Sequence, residues 1–293
     1  QGMIIPKPLF RDYAGAHSRD APANLRPVGT SAYKLASFAP GDTLRAEANP
    51  NYHMPNRPFF DTLEVKGGGD AVSAARAVLQ TGDFDYAWNL QVEDELLQRL
   101  EAAGRGRVNI VPGGGVEFIQ LNTTDPNREV GGERSSATTQ HPCFSDPAVR
   151  EAMALLVARG GTERSVDGRG GPATANFLNN PERFRSPNMR WEFNLQRANE
   201  ILDQAGWVRG RDGIRAKNGV RMRFVFQTSV NAPRQRVQAI VKQAAQRAGI
   251  DIELKSVVAS VFFSSAVANP DTYTKFYADM QMYNTTMPQA DPA

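Results

Sequence analysis

Ten uncharged polar and aromatic residues carry the clearest chemistry in this chain. They are Asn122, Asn176, Phe177, Asn179, Asn180, Phe262, Phe263, Tyr283, Asn284 and Thr285, each near a predicted loop end. A carboxamide offers two donors and an acceptor, and an aromatic wall excludes water, a combination suited to neutral or zwitterionic ligands. For either Phe taken alone, core packing is the competing reading.

Other constellations are thinner. The three histidines, His17, His53 and His141, lie far apart, and His141-x-Cys143 with Asp146 beyond offers two ligands in a loop, short of a zinc set. Gly67-Gly68-Gly69 precedes a helix start at Asp70, but no Lys-Ser/Thr follows and Asp70 would repel an anion, so it reads as a surface turn. The run Gly168 to Pro172 (GRGGP) is no stronger as a nucleotide loop. No G-x-S-x-G occurs, and Glu93, Asp94 and Glu95 read as a solvated helix face. No catalysis, cofactor or metal site is expected.

Composition narrows the class. The 293 residues are 41% hydrophobic and 22% charged, with 25 glycines and 19 prolines, a turn-rich balance that favours a mixed α/β protein over a helical bundle. The 34 basic residues are interleaved with 31 acidic ones and give a net charge of +3. No run of five or more like charges stands out, so nucleic acid is not an expected partner. The single cysteine rules out an intrachain disulfide. No apolar run reaches the roughly 18 residues of a membrane span, so a soluble chain is expected. The start lacks a secretory pattern, and Gln1-Gly2-Met3 resembles a tag scar ahead of a Met.

The elements that must position these residues follow from punctuation and period. Ala32 to Phe38, with Tyr33, Leu35 and Ser37 on one face, and Thr43 to Ala48 read as a hairpin across Pro40-Gly41-Asp42. Asp70 caps a helix to Gln80 with Gly82 behind it; Asp83 to Leu90 reads as a buried strand, and Val92 to Ala103 as an amphipathic helix. Val108 to Val111 and Val116 to Asn122 read as strands around a Gly-rich junction, and Thr123 to Gln140 as a mobile loop. Asp146-Pro147 starts a helix to about Ala158, and Asn194 caps one ending at Gly206. Arg221 to Thr228, Pro233 to Ala248 and Asp251 to Val258 read as strand, helix and strand, with the two strands parallel. A helix starting at Val261 and a strand from Asp279 to Tyr283 complete the pattern.

Pro27 to His53 (PVGTSAYKLASFAPGDTLRAEANPNYH) and Gln80 to Leu90 (QTGDFDYAWNL) resemble segments of the family-5 solute-binding proteins, the receptors of dipeptide, oligopeptide and nickel ABC transporters. Ser31-Ala32 stands where that family carries Gly-Pro, and His53 where it carries Trp. The resemblance continues in order through Phe144 to Ala154 (FSDPAVREAMA), Arg197 to Trp207 (RANEILDQAGW), Gly213 to Gly219 (GIRAKNG) paired with Met222 to Thr228 (MRFVFQT), and Ala248 to Lys255 (AGIDIELK).

The resemblance implies a two-lobe periplasmic-binding-protein architecture truncated at both ends, with residues 1–115 in part of a first lobe and 116–293 in most of the second. It implies a periplasmic, monomeric receptor that captures a peptide or other small polar solute and hands it to an ABC permease. It places Asn122, Asn176, Phe177, Tyr283, Asn284 and Thr285 at the ligand, on one concave face of the second lobe, and Phe262 joins them as a ligand contact from its residue type alone. Peptide-binding members carry a Trp and an α-amine-pairing Asp where this chain has Thr285 and Pro288, which leaves the ligand class open. A sensory module of a transcription regulator and a hydrolase on a similar scaffold are the alternatives.

Overall fold

The computed structural model describes residues 4–111, 113–162, 171, 173–265 and 268–286. Gln1 to Met3, most of the GRGGP loop, Pro288 and the Asp291-Pro292 pair lie outside these. The chain divides after Ala74 into two compact units.

In the first unit, α1 (Lys7–Phe10) and two 3-10 turns precede an antiparallel sheet of β1 (Tyr33–Ala39), β2 (Thr43–Ala48) and β3 (Thr62–Lys66). The hairpin turns where expected, with Gly41 at φ 78°. Its register shifts between Leu35 and Ser37. The extra residue, Ala36, interrupts the period of two, which corrects the expectation that Tyr33, Leu35 and Ser37 share a face.

Asp70 caps α2 (Ala71–Arg76), its Oδ1 accepting the Ser73 amide at 2.9 Å. The helix continues as a π turn to Thr81 and stops at Gly82. The second unit then carries α3 (Asp94–Glu101), where Leu97 and Leu100 join Ala75 and Leu79 in a small apolar cluster against Leu90, Val92, Leu96 and Val108. Asp83 to Leu90 is not the expected buried strand. It finds no strand partner among the described residues, bends at Asn89 (φ 55°), and leaves Phe84, Tyr86 and Trp88 exposed. Val108 to Val111 also lacks a ladder, and Ile110 and Val111 face solvent.

The main sheet has the order β4 (Gly115–Leu121), β10 (Met280–Thr286), β8 (Arg223–Ser229), β9 (Asp251–Val257). β10 runs antiparallel to β4 and parallel to β8, and β8 is parallel to β9 as the strand–helix–strand pattern required. α7 (Ala232–Arg247) joins the two parallel strands. One sheet face sends Ile119, Leu121, Met280, Met282, Phe224, Phe226, Ile252 and Leu254 into a core shared with α4 (Pro147–Leu155), α6 (Leu195–Gln204) and α7. The period of two puts Phe118, Gln120, Gln227, Gln281 and Tyr283 on the other face.

Capping residues sit where their types dictate. Asp146, Asn194 and Asn231 each accept a first-turn amide of α4, α6 and α7. α4 ends at Leu155, three residues short of Ala158, because the Asn194 amide takes the Leu155 carbonyl at 2.9 Å. A four-residue helix, α5 (Arg159–Thr162), follows. The helix expected from Val261 is only α8 (Ala259–Phe262), since the Phe262 carbonyl is diverted to the Tyr273 amide at 2.8 Å. Residues 123–140, expected to be mobile, are stitched down: the His141 amide reaches Thr123, and the Ser135 hydroxyl reaches the Phe276 carbonyl at 2.7 Å.

GIRAKNG and MRFVFQT meet only at their near ends, where the Met222 amide donates to the Arg215 carbonyl at 2.9 Å, and the rest of MRFVFQT enters the main sheet as β8. β6 (Arg215–Lys217) sits between β5 (Val208–Arg209) and β7 (Val220–Arg221) in a separate small sheet. The buried Arg215 pins that sheet to α6 and α7, donating to Asn199 Oδ1 at 2.9 Å and to the Ala248 carbonyl at 2.8 Å, with further bonds to Asp203 and Trp207. Gly249 (φ 81°) makes this approach possible, because a Cβ there would lie 2.9 Å from both Arg209 Nη1 and the Gly213 carbonyl oxygen.

Candidate functional site

Two ends of the main sheet divide the residues that the sequence singled out. The carboxyl ends of β8 and β10 meet the start of β4, where Tyr283 stands opposite Phe118 and Thr285 opposite Val116. In α/β sheets this end is where ligand crevices form. Phe118 and Tyr283 meet edge to face at 4.8 Å, and Phe177 packs on the far side of Phe118 at 5.8 Å. Tyr273, Phe262 and Phe263 close on Tyr283 from the other direction at 5.1, 6.2 and 6.4 Å. The strip grades from core to solvent: Phe262 is fully buried, whereas Phe263 is 44% and Phe177 52% exposed. Burial pushes the Tyr283 phenol above its ordinary pKa and the neighbouring Tyr273 adds to this, so the ring stays neutral despite the opposing Gln120 hydrogen bond.

Loop chemistry fixes Phe177 in place. Asn176 Oδ1 accepts the Ser186 amide at 2.9 Å and its Nδ2 donates to the Ser186 carbonyl at 3.4 Å, closing the loop that presents the ring. Asn179 Nδ2 donates to the Gly115 carbonyl at 3.0 Å, while its Oδ1 is buried without a partner. Asn284 points to the opposite face from Tyr283 and Thr285; Gly115, lacking a side chain, lets its amide approach, since a Cβ there would lie 3.3 Å from Asn284 Nδ2.

Asn122 belongs to the other end of β4. Its Nδ2 faces Ser135 Oγ and the carbonyls of Phe276 and Ala278 at 3.0–3.1 Å, and its Oδ1 accepts from the Thr124 amide and hydroxyl. Every polar atom of that side chain is engaged. The structure therefore brings Phe177, Phe262, Tyr283 and Thr285 together, uses Asn176 as their support, turns Asn284 to the reverse face and sets Asn122 apart.

Three features escaped the sequence reading. Arg234 donates from both Nε and Nη2 to Glu117, at 2.7 and 3.2 Å, and from Nη1 to Ser229 Oγ at 2.7 Å. Burial raises the Glu117 carboxyl above its ordinary pKa, with the Arg234 hydrogen bond and charge opposing. A lone carboxylate inside the apolar run GVEFIQL was the available signal, since such a group requires a partner. Next, three glutamines from adjacent strands form a chain: Gln227 Nε2 donates to Gln281 Oε1 at 3.1 Å, and Gln281 Nε2 to Gln120 Oε1 at 2.8 Å. Finally, His141 serves the fold: its Nε2 meets Asp279 at 2.9 Å and its Nδ1 accepts the amides of Cys143 and Phe144. Both ring nitrogens are occupied. No group of three ligand-type residues able to hold a metal occurs among the described residues, and no described helix is long and apolar enough to cross a membrane.

What remains at the carboxyl end is a neutral aromatic strip with the Thr285 hydroxyl on the same sheet face. It can desolvate a small molecule and offer it directional hydrogen bonds. Residues 3–293 match the family model for bacterial extracellular solute-binding proteins, family 5. Protein XP55 of Streptomyces lividans is 27% identical over 235 residues, covering 79% of this chain and 39% of that protein. The glutathione-binding protein GsiB of Escherichia coli strain K12 is 25% identical over 63% of this chain and 32% of its own length. The chain thus spans about a third to two fifths of these curated relatives. NikZ from Campylobacter jejuni, solved with Ni(L-His), superposes with a TM-score of 0.75 at 18% identity, over 98% of this chain and 51% of that one. The oligopeptide-binding protein of Thermus thermophilus, solved with a pentapeptide, gives 0.67 at 21%, over 87% and 43%. These structural likenesses establish the mixed α/β fold, and the family match establishes kinship: the chain belongs to the bacterial extracellular solute-binding proteins, family 5.

Proposed function

We propose that this chain forms part of the solute-capturing component of an ABC importer, holding a peptide or other small polar solute for delivery to a membrane permease. In this reading residues 1–115 contribute to one lobe and residues 116–293 to the other. The protein works in the periplasm as a monomer and performs no chemistry on its cargo. The observation that carries the reading is the strip Phe177–Phe118–Tyr283–Phe263, half-open to solvent at the carboxyl end of the sheet. Kinship supports it, since the relatives include proteins described as binding glutathione, peptides and Ni(L-His).

A solute on this wall would stack its apolar parts on the rings and bond its polar edges to Thr285 and backbone groups. The amide groups of Asn122 and Asn176 are spent on the fold, which favours the aromatic strip as the recognition surface. Calorimetric titration with glutathione, a pentapeptide mixture and Ni(L-His) tests the reading, on this chain and on the product of its complete gene. Saturable heat from one of these solutes, lost when Phe177 or Tyr283 is truncated, is the expected result. Silence from both proteins toward all three solutes, or turnover of a peptide, would overturn it.

A further inference from the structure

The segment leading into α3 reaches the start of α7 through two polar contacts. Asn231 Nδ2 donates to Gln91 Oε1 at 2.8 Å, and Arg236 Nη2 lies 2.9 Å from Glu93 Oε1. The α7 side of this contact is braced. Asn231 spends its Oδ1 on capping its own helix, which aims its amide outward, and Arg234 is locked between Glu117 and Ser229. The α3 side has an apolar cluster of its own, and among the described residues that cluster shares no buried residue with the core of the main sheet. Asn231 lies two positions beyond Ser229, the last residue of β8, at the end of the sheet that carries the aromatic strip.

We infer that Gln91–Asn231 and Glu93–Arg236 form a clasp that holds residues 88–93 against the carboxyl end of the sheet and releases to admit solute. The inference rests on the reading of that end as a solute crevice and adds how access to it is controlled. Both contacts are polar, and the ion pair is half-exposed, with 48% of the Arg236 side chain and 33% of that of Glu93 open to solvent. Parting them leaves each apolar cluster intact, so opening is inexpensive. One amide hydrogen bond plus one exposed ion pair biases such an equilibrium by roughly three- to seventyfold. Added salt weakens the ion pair and favours the open form.

Hydrogen exchange read by mass spectrometry on the unliganded chain tests the clasp without any solute. Arg236→Glu is expected to speed exchange across residues 88–93 at least about threefold while leaving 94–101 and 223–257 unchanged. The charge-swapped pair Glu93→Arg/Arg236→Glu should return exchange to within about twofold of the parent. Unaltered exchange in 88–93, or no recovery in the swapped pair, would overturn the clasp. Should Arg236→Glu loosen the whole chain, Gln91→Ala decides instead: faster exchange confined to 88–93 supports the clasp, and its absence refutes it. A chain with a working clasp that binds none of glutathione, pentapeptides or Ni(L-His) would refute only the solute reading.

Discussion

His141 and Asp279, 138 residues apart, meet at 2.9 Å between Nε2 and Oδ1, with side chains 3% and 9% exposed. The imidazole Nδ1 accepts two backbone amides, from Cys143 and Phe144, so the ring proton sits on Nε2 and points at the carboxylate. Asp279 Oδ2 accepts the Val225 amide at 2.6 Å. One imidazole and one carboxylate thereby join the loop ahead of α4 to β8 and to the start of β10.

Removing the imidazole orphans two amides and strips a buried carboxylate of its partner. His141→Ala should therefore cost about 3–5 kcal/mol, the range for breaking a buried pair. Urea denaturation with an unchanged m-value measures it, and nitrogen NMR of the parent should show the Nε2–H tautomer. A loss below about 1 kcal/mol would mean the bridge does not bear on stability.

Asp146 supplies a pH signature. Burial works against its ionisation, but hydrogen bonds from the Trp207 indole, the Ala148 amide and Lys217 prevail and hold its carboxyl below the ordinary aspartate range. Because the folded value is the lower one, this stabilisation is complete above the unfolded pKa near about 3.9 and is lost as pH falls through the folded value. Asp146→Asn should cost about 1–3 kcal/mol at pH 7, and the gap to the parent should close as pH drops below about 4. Urea midpoints at both pH values decide this; a gap independent of pH would exclude Asp146 as its source.

The Cys143 thiol is pushed up to about 12, first by burial and then by the charges of Asp279 and Asp146. Below the unfolded thiol value of about 8.5 both states keep the proton. Between there and about 12 only the unfolded thiol ionises, so stability falls by about 1.4 kcal/mol per pH unit from this group. Iodoacetamide at pH 8 should leave the native chain unlabelled over hours and label it fully in urea. Rapid native labelling would show that the thiol is reachable and its burial wrong.

Local grammar made much of the fold legible. The β8–α7–β9 unit could be read because Asn231, Pro233 and Gly249 punctuate a helix between two β-type runs, all within 35 residues. The Asp146 and Asn194 caps and the β1–β2 hairpin were legible for the same reason. Two strand assignments failed, Asp83 to Leu90 and Val108 to Val111, because an apolar run makes a strand only where a neighbour supplies a ladder, and nothing local specifies that neighbour. The site was legible in type more than in position. Asn122, Asn176 and Asn284 were chosen as amides near loop ends, yet whether an amide faces a solute or closes a loop depends on carbonyls such as Phe276 and Ala278, more than 150 positions away from Asn122. Phe118 was missed because its partners, Phe177 and Tyr283, come from distant elements.

The separation of Asn122 from the aromatic strip yields the sharpest test of the site. Asn122 spends both ends of its carboxamide inside the protein and is 4% exposed. Asn122→Ala should therefore cost about 2–4 kcal/mol of stability, through orphaned carbonyls and a lost turn, while the folded fraction keeps the parent's affinity for whichever of glutathione, pentapeptide or Ni(L-His) binds. Phe177 is half-exposed and leans on one ring. Phe177→Ala should cost about 1 kcal/mol or less of stability, within the range of a single aromatic pair, yet weaken binding about tenfold, or 1.4 kcal/mol. Urea denaturation and calorimetry on the two variants side by side separate the roles. The opposite pattern, with Asn122→Ala abolishing affinity at full stability and Phe177→Ala leaving affinity intact, would move the recognition surface to the amino end of β10.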